Sequence, residues 1–506
     1  MATPPPARPC PQYARSQAHF WHLACQIRCA IKNSYIFFQY VWRSDPPNTR
    51  TFYSNSRRIE VVTMAASKSK ALRASLVFHR FGLGAKPGGL ARIADDPAAA
   101  LVAELATPGV ALINDPSLPS YAAACFEGAQ PSPRPDAVRV VEVRARIKKH
   151  LQPEIGFAER LTLFWSNHFA MSFRKAPLLR ATIGQFERDV IRPNVLGTFP
   201  QMLKQVMRHP GMIRFLDNDM SIGEESAFGL KRRVSYTENL AREMLELHTV
   251  GSGNYGESDV KALAKMLTGW SVVLKKEETP SNAGQFFYRA EWHQPGPQPF
   301  FGVTIPEGDM EQADKAFDLM SSHPATARRI ATKLVRHFVT DDPSDDLVNP
   351  LVQTFLDTGG DLKQVTETLI GLERAWTAPA SKYRTPYELM IAQFRALGTS
   401  LLPDEEGLLD RILVGLNQPF WDPPSPEGFS DDTADWLSPS SVAFRLDAVQ
   451  QISKIIGRRK TVDPATLARG LYGGAMSRQT FERVAAGGSQ LAGLTILFAS
   501  PEFQRR

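Results

Sequence analysis

Cysteine is scarce in this chain: 4 occur in 506 residues, and Cys10, Cys25 and Cys29 all fall in the first 63. Cys125 is alone in the remainder, which excludes an internal disulfide framework and a thiolate metal site there. Cys25 and Cys29 lack a second ligand pair and are a weak zinc signal. Long apolar runs are also missing. Arg28 and Lys32 interrupt the apolar text that runs on to Trp42, leaving neither a transmembrane span nor a well-formed signal peptide. No Gly-x-Ser-x-Gly, His-Glu-x-x-His or dinucleotide fingerprint occurs, and the glycines at 251, 253 and 256 follow a helix without Walker lysine spacing. Alternating strand text is confined to residues 285–304, which excludes a large sheet. The formal charge of +7 invites an acidic partner, but residues 1–63 hold eight basic residues against Asp45 and Glu60. The remaining 443 residues carry about +1, so no nucleic-acid partner is expected.

Residues 1–63 are rich in Arg and poor in acid, without a regular period. Composition makes them a disordered leader, or text outside the native protein with Met64 as the true start. The folded body is then 64–506. In the absence of a clear signal peptide the default location is cytoplasmic.

Helical period dominates after Met64. The spacing predicts helices at 69–84, 97–106 (capped by Asp96 before Pro97), 136–170 with a break near Gln152-Pro153, 178–192, 198–208, 235–249, 258–268, 310–321, 324–339, 345–357 and 361–372. The Pro- and Ser-rich text from Asp115 to Pro135 reads as a loop. The aromatic runs within 285–304, split by a Pro/Gly turn, predict a β-hairpin. After Arg384 come the helix of PYELMIAQFRAL, the loop PFWDPPSPEGF and two or three closing helices. The fold class is mainly α: one large helical domain with a short hairpin.

The most informative stretch is 235–270. On a helix over 235–249, Glu238, Asn239, Arg242, Glu243 and Glu246 fall within an arc of about 140°, opposite Leu240, Met244 and Leu247. Ser235 and Glu238 have capping-box spacing, which gives Glu238 a structural role. Glu243 and Glu246 have none, and a carboxylate pair at i and i+3 is how helical bundles present ligands to an ion. The same face also reads as a solvated stripe laced by Arg242. His168 shares a stripe with Leu161, Phe164 and Trp165, which suits a buried core histidine or a nitrogen donor beside the carboxylates. His248, roughly opposite the charged face, is expected to pack near the helix end, where a cation suits the dipole. Gly251 has the position of a C′ glycine, and Glu257 and Asp259 suit the start of the next helix.

Two functions fit. One is a carboxylate-lined site of Glu243, Glu246, His168, Arg242 and Asn239 that binds a divalent metal and activates water for hydrolysis. The other is a non-catalytic scaffold that binds a partner protein, with the charged face sealed as a salt-bridge network.

Several blocks resemble the bacterial family known as domain of unknown function 1800. They are HRFGLGAKPG at 79–88, LTLFWSNHFAMS at 161–172, ENLAREMLELHTVGSGNYGESDVKALAKMLTGW at 238–270, ATKLVRHFV at 331–339, RTPYELMIAQFRALG at 384–398 and NQPFWDPPSPEGF at 417–429. The resemblance runs from about residue 70 to the C-terminus. It implies a mainly helical fold, no established activity, frequent export, and a neighbouring partner of the uncharacterised family numbered 1501, which resembles sulfatase- and phosphatase-type hydrolases. Two departures stand out. His293-Gln294 replaces the His-Asp that many members carry, and Phe429 stands in place of a usual tryptophan.

Overall fold

Helix appears almost where the apolar spacing places it, because local caps and periodicity agree along most of the chain. The computed structural model describes residues 70–128, 135–273, 275–400 and 405–506. The expectations for residues 1–63 lie outside the described residues. The helix Pro97–Ala106 opens as its sequence indicates, with the Asp96 carboxylate accepting from the Ala99 amide and proline in the first turn. Thr385 and Glu388 form a reciprocal capping box on Pro386–Leu397, a helix buried on every side. The helix Phe157–His168 begins at Gly156, which offers no cap of its own. Glu104 reaches across from another helix and accepts from the amides of Gly156, Phe157 and Ala158.

The architecture is mainly α, with two small antiparallel two-stranded sheets. The second aromatic run forms a hairpin, Gln298–Phe300 with Val303–Ile305. Its turn residues, Phe301 and Gly302, have φ of +48° and +75°, as a type I′ turn requires. The first run, Phe286–Tyr288, pairs instead with Trp270–Val272, since those residues continue directly from the preceding helix and reach it first. Two other expectations need correction. The segment read as loop contains a helix, Tyr121–Gly128, whose Ala122, Ala124 and Cys125 are buried; small apolar residues gave it too weak a period to notice. The closing region holds more helices than expected, Pro439–Arg459, Pro464–Tyr472, Arg478–Ala485 and Gln490–Ala499 with the short Pro501–Gln504. No helix among the described residues is long and apolar enough to cross a membrane.

The core around Phe157–His168 is aromatic: Phe81, Phe157, Phe338 and Trp376 meet on one side, and Phe164, Trp165, Phe169 and Phe199 on the other. Close packing is permitted by glycine where Pro177–Phe186 crosses Pro135–Leu151. A Cβ at Gly184 would lie 2.6 Å from Glu142 Cγ.

Candidate functional site

The stretch from 234 to 238 is not helical, and the helix starts at Asn239, with Glu238 as the cap residue and no side-chain cap bond. The expected capping box is therefore absent. Ser235 Oγ donates to Glu224, while Thr237 is held by Ser221 Oγ and the Asp217 carbonyl, which keeps this segment off the helical path. The helix widens into a π turn at Met244–His248, a geometry that recurs at functional sites. Gly251, at φ +80°, ends it as expected, its amide bonded to the Leu245 carbonyl.

The five candidate residues part company. Arg242 pairs with Glu238 (2.8 Å) and Glu257 (3.0 Å) on the partly exposed side. Asn239 reaches only to Asp217, 3.5 Å away. His168 is buried in the aromatic core, with Nε2 3.1 Å from the His248 carbonyl, and burial holds it well below the usual histidine range. His248 is likewise buried and neutral, pushed down to about 3. It packs near the helix end as expected, but not as a cation, since an apolar pocket disfavours the charged ring.

Glu243 and Glu246 remain together. Glu246 accepts from Ser252 Oγ and Tyr255 Oη, each at 3.2 Å. Glu243 is partly buried and has no hydrogen bond or ion pair among the described residues. Burial raises its pKa above the ordinary value, and the nearby carboxylates Glu246 and Glu427 add to the rise, against Arg242. Glu427 comes from the loop 417–429, which the sequence reading left without a role. Facing them from Pro324–Phe338 are two cations. Arg329 Nε donates to the Leu247 carbonyl at 3.0 Å and feels Glu427 and Glu246. Lys333 has its pKa lowered by burial, partly offset by Asp431 and Glu427. Three carboxylates and two cations from three separate segments thus act on one another electrostatically. Among the described residues no group of three or more His, Cys, Asp or Glu side chains is gathered to hold a metal ion.

Loop 417–431 also closes a second feature. Asn167 clamps it by accepting from the Phe429 amide and donating to the Phe429 carbonyl, both at 2.8 Å. Asp431 accepts from His337 Nδ1 at 2.8 Å, and Trp421 Nε1 donates to Glu187 at 3.1 Å. Behind the loop lies a partly open cavity of about 90 Å³ whose walls include Arg146, Asn167, Glu187, Tyr387, Glu388, Trp421 and Asp431. Its charges belong to buried networks. Arg192 bonds Glu159 (2.9 Å) and Glu187 (3.0 Å), and Glu388 lies between Arg160 (3.3 Å) and Arg506 (3.0 Å).

Residues 76–505 match the family model described as protein of unknown function, DUF1800. The chain belongs to this family. No curated protein and no solved structure matches it. The DUF1800 blocks that carry the resemblance converge here: the 161–172, 384–398 and 417–429 blocks line much of the cavity, while the 238–270, 331–339 and 417–429 blocks supply Glu243, Glu246, Lys333 and Glu427. Gln294, at the departure from the DUF1800 pattern, is tied into the fold by Glu225 Oε2 at 2.8 Å and the Thr268 hydroxyl at 2.7 Å. The sequence reading missed Arg146, Glu187, Arg192 and Glu388. Their signal was a charge inside otherwise apolar helical text, which demands a buried partner.

Proposed function

We propose that this DUF1800 chain carries out hydrolase-type acid–base chemistry on a small polar substrate, with Glu243 as the proton-transfer group and Arg329 and Lys333 as the charge-stabilising pair. The observation that carries this reading is the state of Glu243: a partly buried carboxylate with no hydrogen-bond or ion-pair partner among the described residues, whose pKa is raised by burial and by like charges. Such a group costs stability, and groups of this kind concentrate at working sites. Glu246, held by Ser252 and Tyr255, would keep the local field in place. A divalent cation bridging Glu243 and Glu246 is the metal-dependent form of the same reading.

The test assays the full chain and Glu243→Gln against panels of carboxylic esters, phosphate esters and glycosides, with elemental analysis of the same samples. Turnover lost in Glu243→Gln supports the reading, and stoichiometric metal lost with it supports the metal-dependent form. Equal behaviour of both proteins across all panels, with no bound metal, defeats it. One observation favours the scaffold alternative: Arg242 is spent joining two helices through Glu238 and Glu257. Copurification with a protein of the family numbered 1501 is its test.

A further inference from the structure

Arg146 is the one wall cation of the cavity whose charge is not fully used. It is 7% exposed and its guanidinium lies over two rings, 5.2 Å from the Tyr387 centroid and 5.0 Å from that of Trp421. Its Nε is buried 3.1 Å from Glu187 Oε2 without a hydrogen bond, whereas the terminal nitrogens, which make no hydrogen bond among the described residues, are not shut away from solvent. The wall carboxylates are already served by other groups. Glu187 takes bonds from Arg192, Ser166 and Trp421. Glu388 is served by Arg160 and Arg506, and Asp431 by His337. Terminal N–H groups that solvent reaches through the cavity are open to any acceptor that enters it.

We propose that this cavity is a binding site for a small monocarboxylate, its two oxygens bridging the terminal nitrogens of Arg146 and its short apolar body lying against Leu163, Met171, Ile183, Phe420 and Phe429. Planar two-point pairing is the geometry that arginine offers a carboxylate. The aromatic rings fix the guanidinium plane in advance. A volume of about 90 Å³ has room for roughly six water-sized probes, less than an engineered cavity that admits benzene. The fit is therefore to a chain of a few carbons. The site is independent of Glu243 and stands or falls without it.

The test titrates the full chain with butyrate, butyramide and inorganic phosphate, following heat and thermal shift. Butyrate is expected to bind saturably, at least tenfold more tightly than butyramide, which keeps the shape and lacks the charge. Arg146→Gln should abolish that difference. Leu163→Phe, which fills the cavity without touching its charges, should weaken butyrate at least tenfold in a protein with native circular dichroism. No saturable butyrate binding to the unaltered chain overturns the proposal. So does butyrate binding unchanged in both variants, or phosphate binding as tightly as butyrate, which would remove the role of the apolar wall.

Discussion

Arg192→Met should destabilise the protein by about 3–5 kcal/mol, the range for breaking a buried ion pair from one side. Arg192 is 1% exposed and bonds Glu159, Glu187 and the Ala111 carbonyl at 2.8 to 3.0 Å. Methionine fills similar space but leaves two carboxylates facing an apolar interior. The ionisation of Glu159 within this network sets the pH dependence. Burial alone would raise the Glu159 carboxyl, yet Arg192 and His150 outweigh it and bring it from 4.5 to about 2. At about 1.4 kcal/mol per pKa unit, that is worth about 3 kcal/mol. The folded pKa lies below the unfolded one, so this stability is present above pH 4.5 and is lost as the pH falls towards 2. With unfolding entropy near 2 cal/mol/K per residue over the matched region 76–505, the expected drop in thermal midpoint at pH 7 is about 3–6 °C. Thermal and urea unfolding followed by circular dichroism at pH 7, 5 and 3.5 provide the assay. The gap between the two proteins should be full at pH 7 and 5 and narrower at 3.5. A shift below 1 °C at pH 7, or a gap that does not narrow in acid, would refute the reasoning. Removing the charges together, as Arg192→Met with Glu159→Gln and Glu187→Gln, should recover part of the loss.

Glu243→Gln should act in the opposite sense. The folded pKa of Glu243 is raised, so its ionisation lowers stability as pH climbs above 4.5; the variant should match the parent at pH 4 and unfold at slightly higher urea at pH 7. Gly184→Ala should cost about 1–3 kcal/mol in a melting curve, because its Cβ meets Glu142 across two packed helices. Asn167→Ala removes both bonds to Phe429, and limited proteolysis should then cut within 422–430 sooner than in the parent; an unchanged cleavage pattern would mean that Trp421 and Asp431 hold the loop alone.

Buried charge was legible in part. Glu388 and Arg395 stand out in PYELMIAQFRAL, and Glu159 and Arg160 in FAERLTLFW, as charges that such apolar helices must satisfy somewhere. Their partners were not legible. Arg395 bonds five backbone carbonyls, those of Gly84, His150, Pro153, Glu154 and Ile155, and nothing in the local text around any of them announces the meeting. Within the charged stripe, Glu243 and Glu246 were picked out by spacing. The same spacing grouped them with Arg242 and Asn239, whose bonds run instead to Glu238, Glu257 and Asp217, since the helix starts later than its text suggests and its last turn is π.

The sequence by itself determined the helical class, most helix positions and the carboxylate pair Glu243 and Glu246 on one helix. These follow from caps and periodicity that act over a few residues. Tertiary structure alone decided that Glu427 stands near Glu243, that Lys333 and Arg329 face them, and that His168 belongs to the core. A helix pattern states which face is apolar. Which side chain from a distant segment meets the polar edge depends on how whole helices pack, and each of those meetings joins segments far apart along the chain.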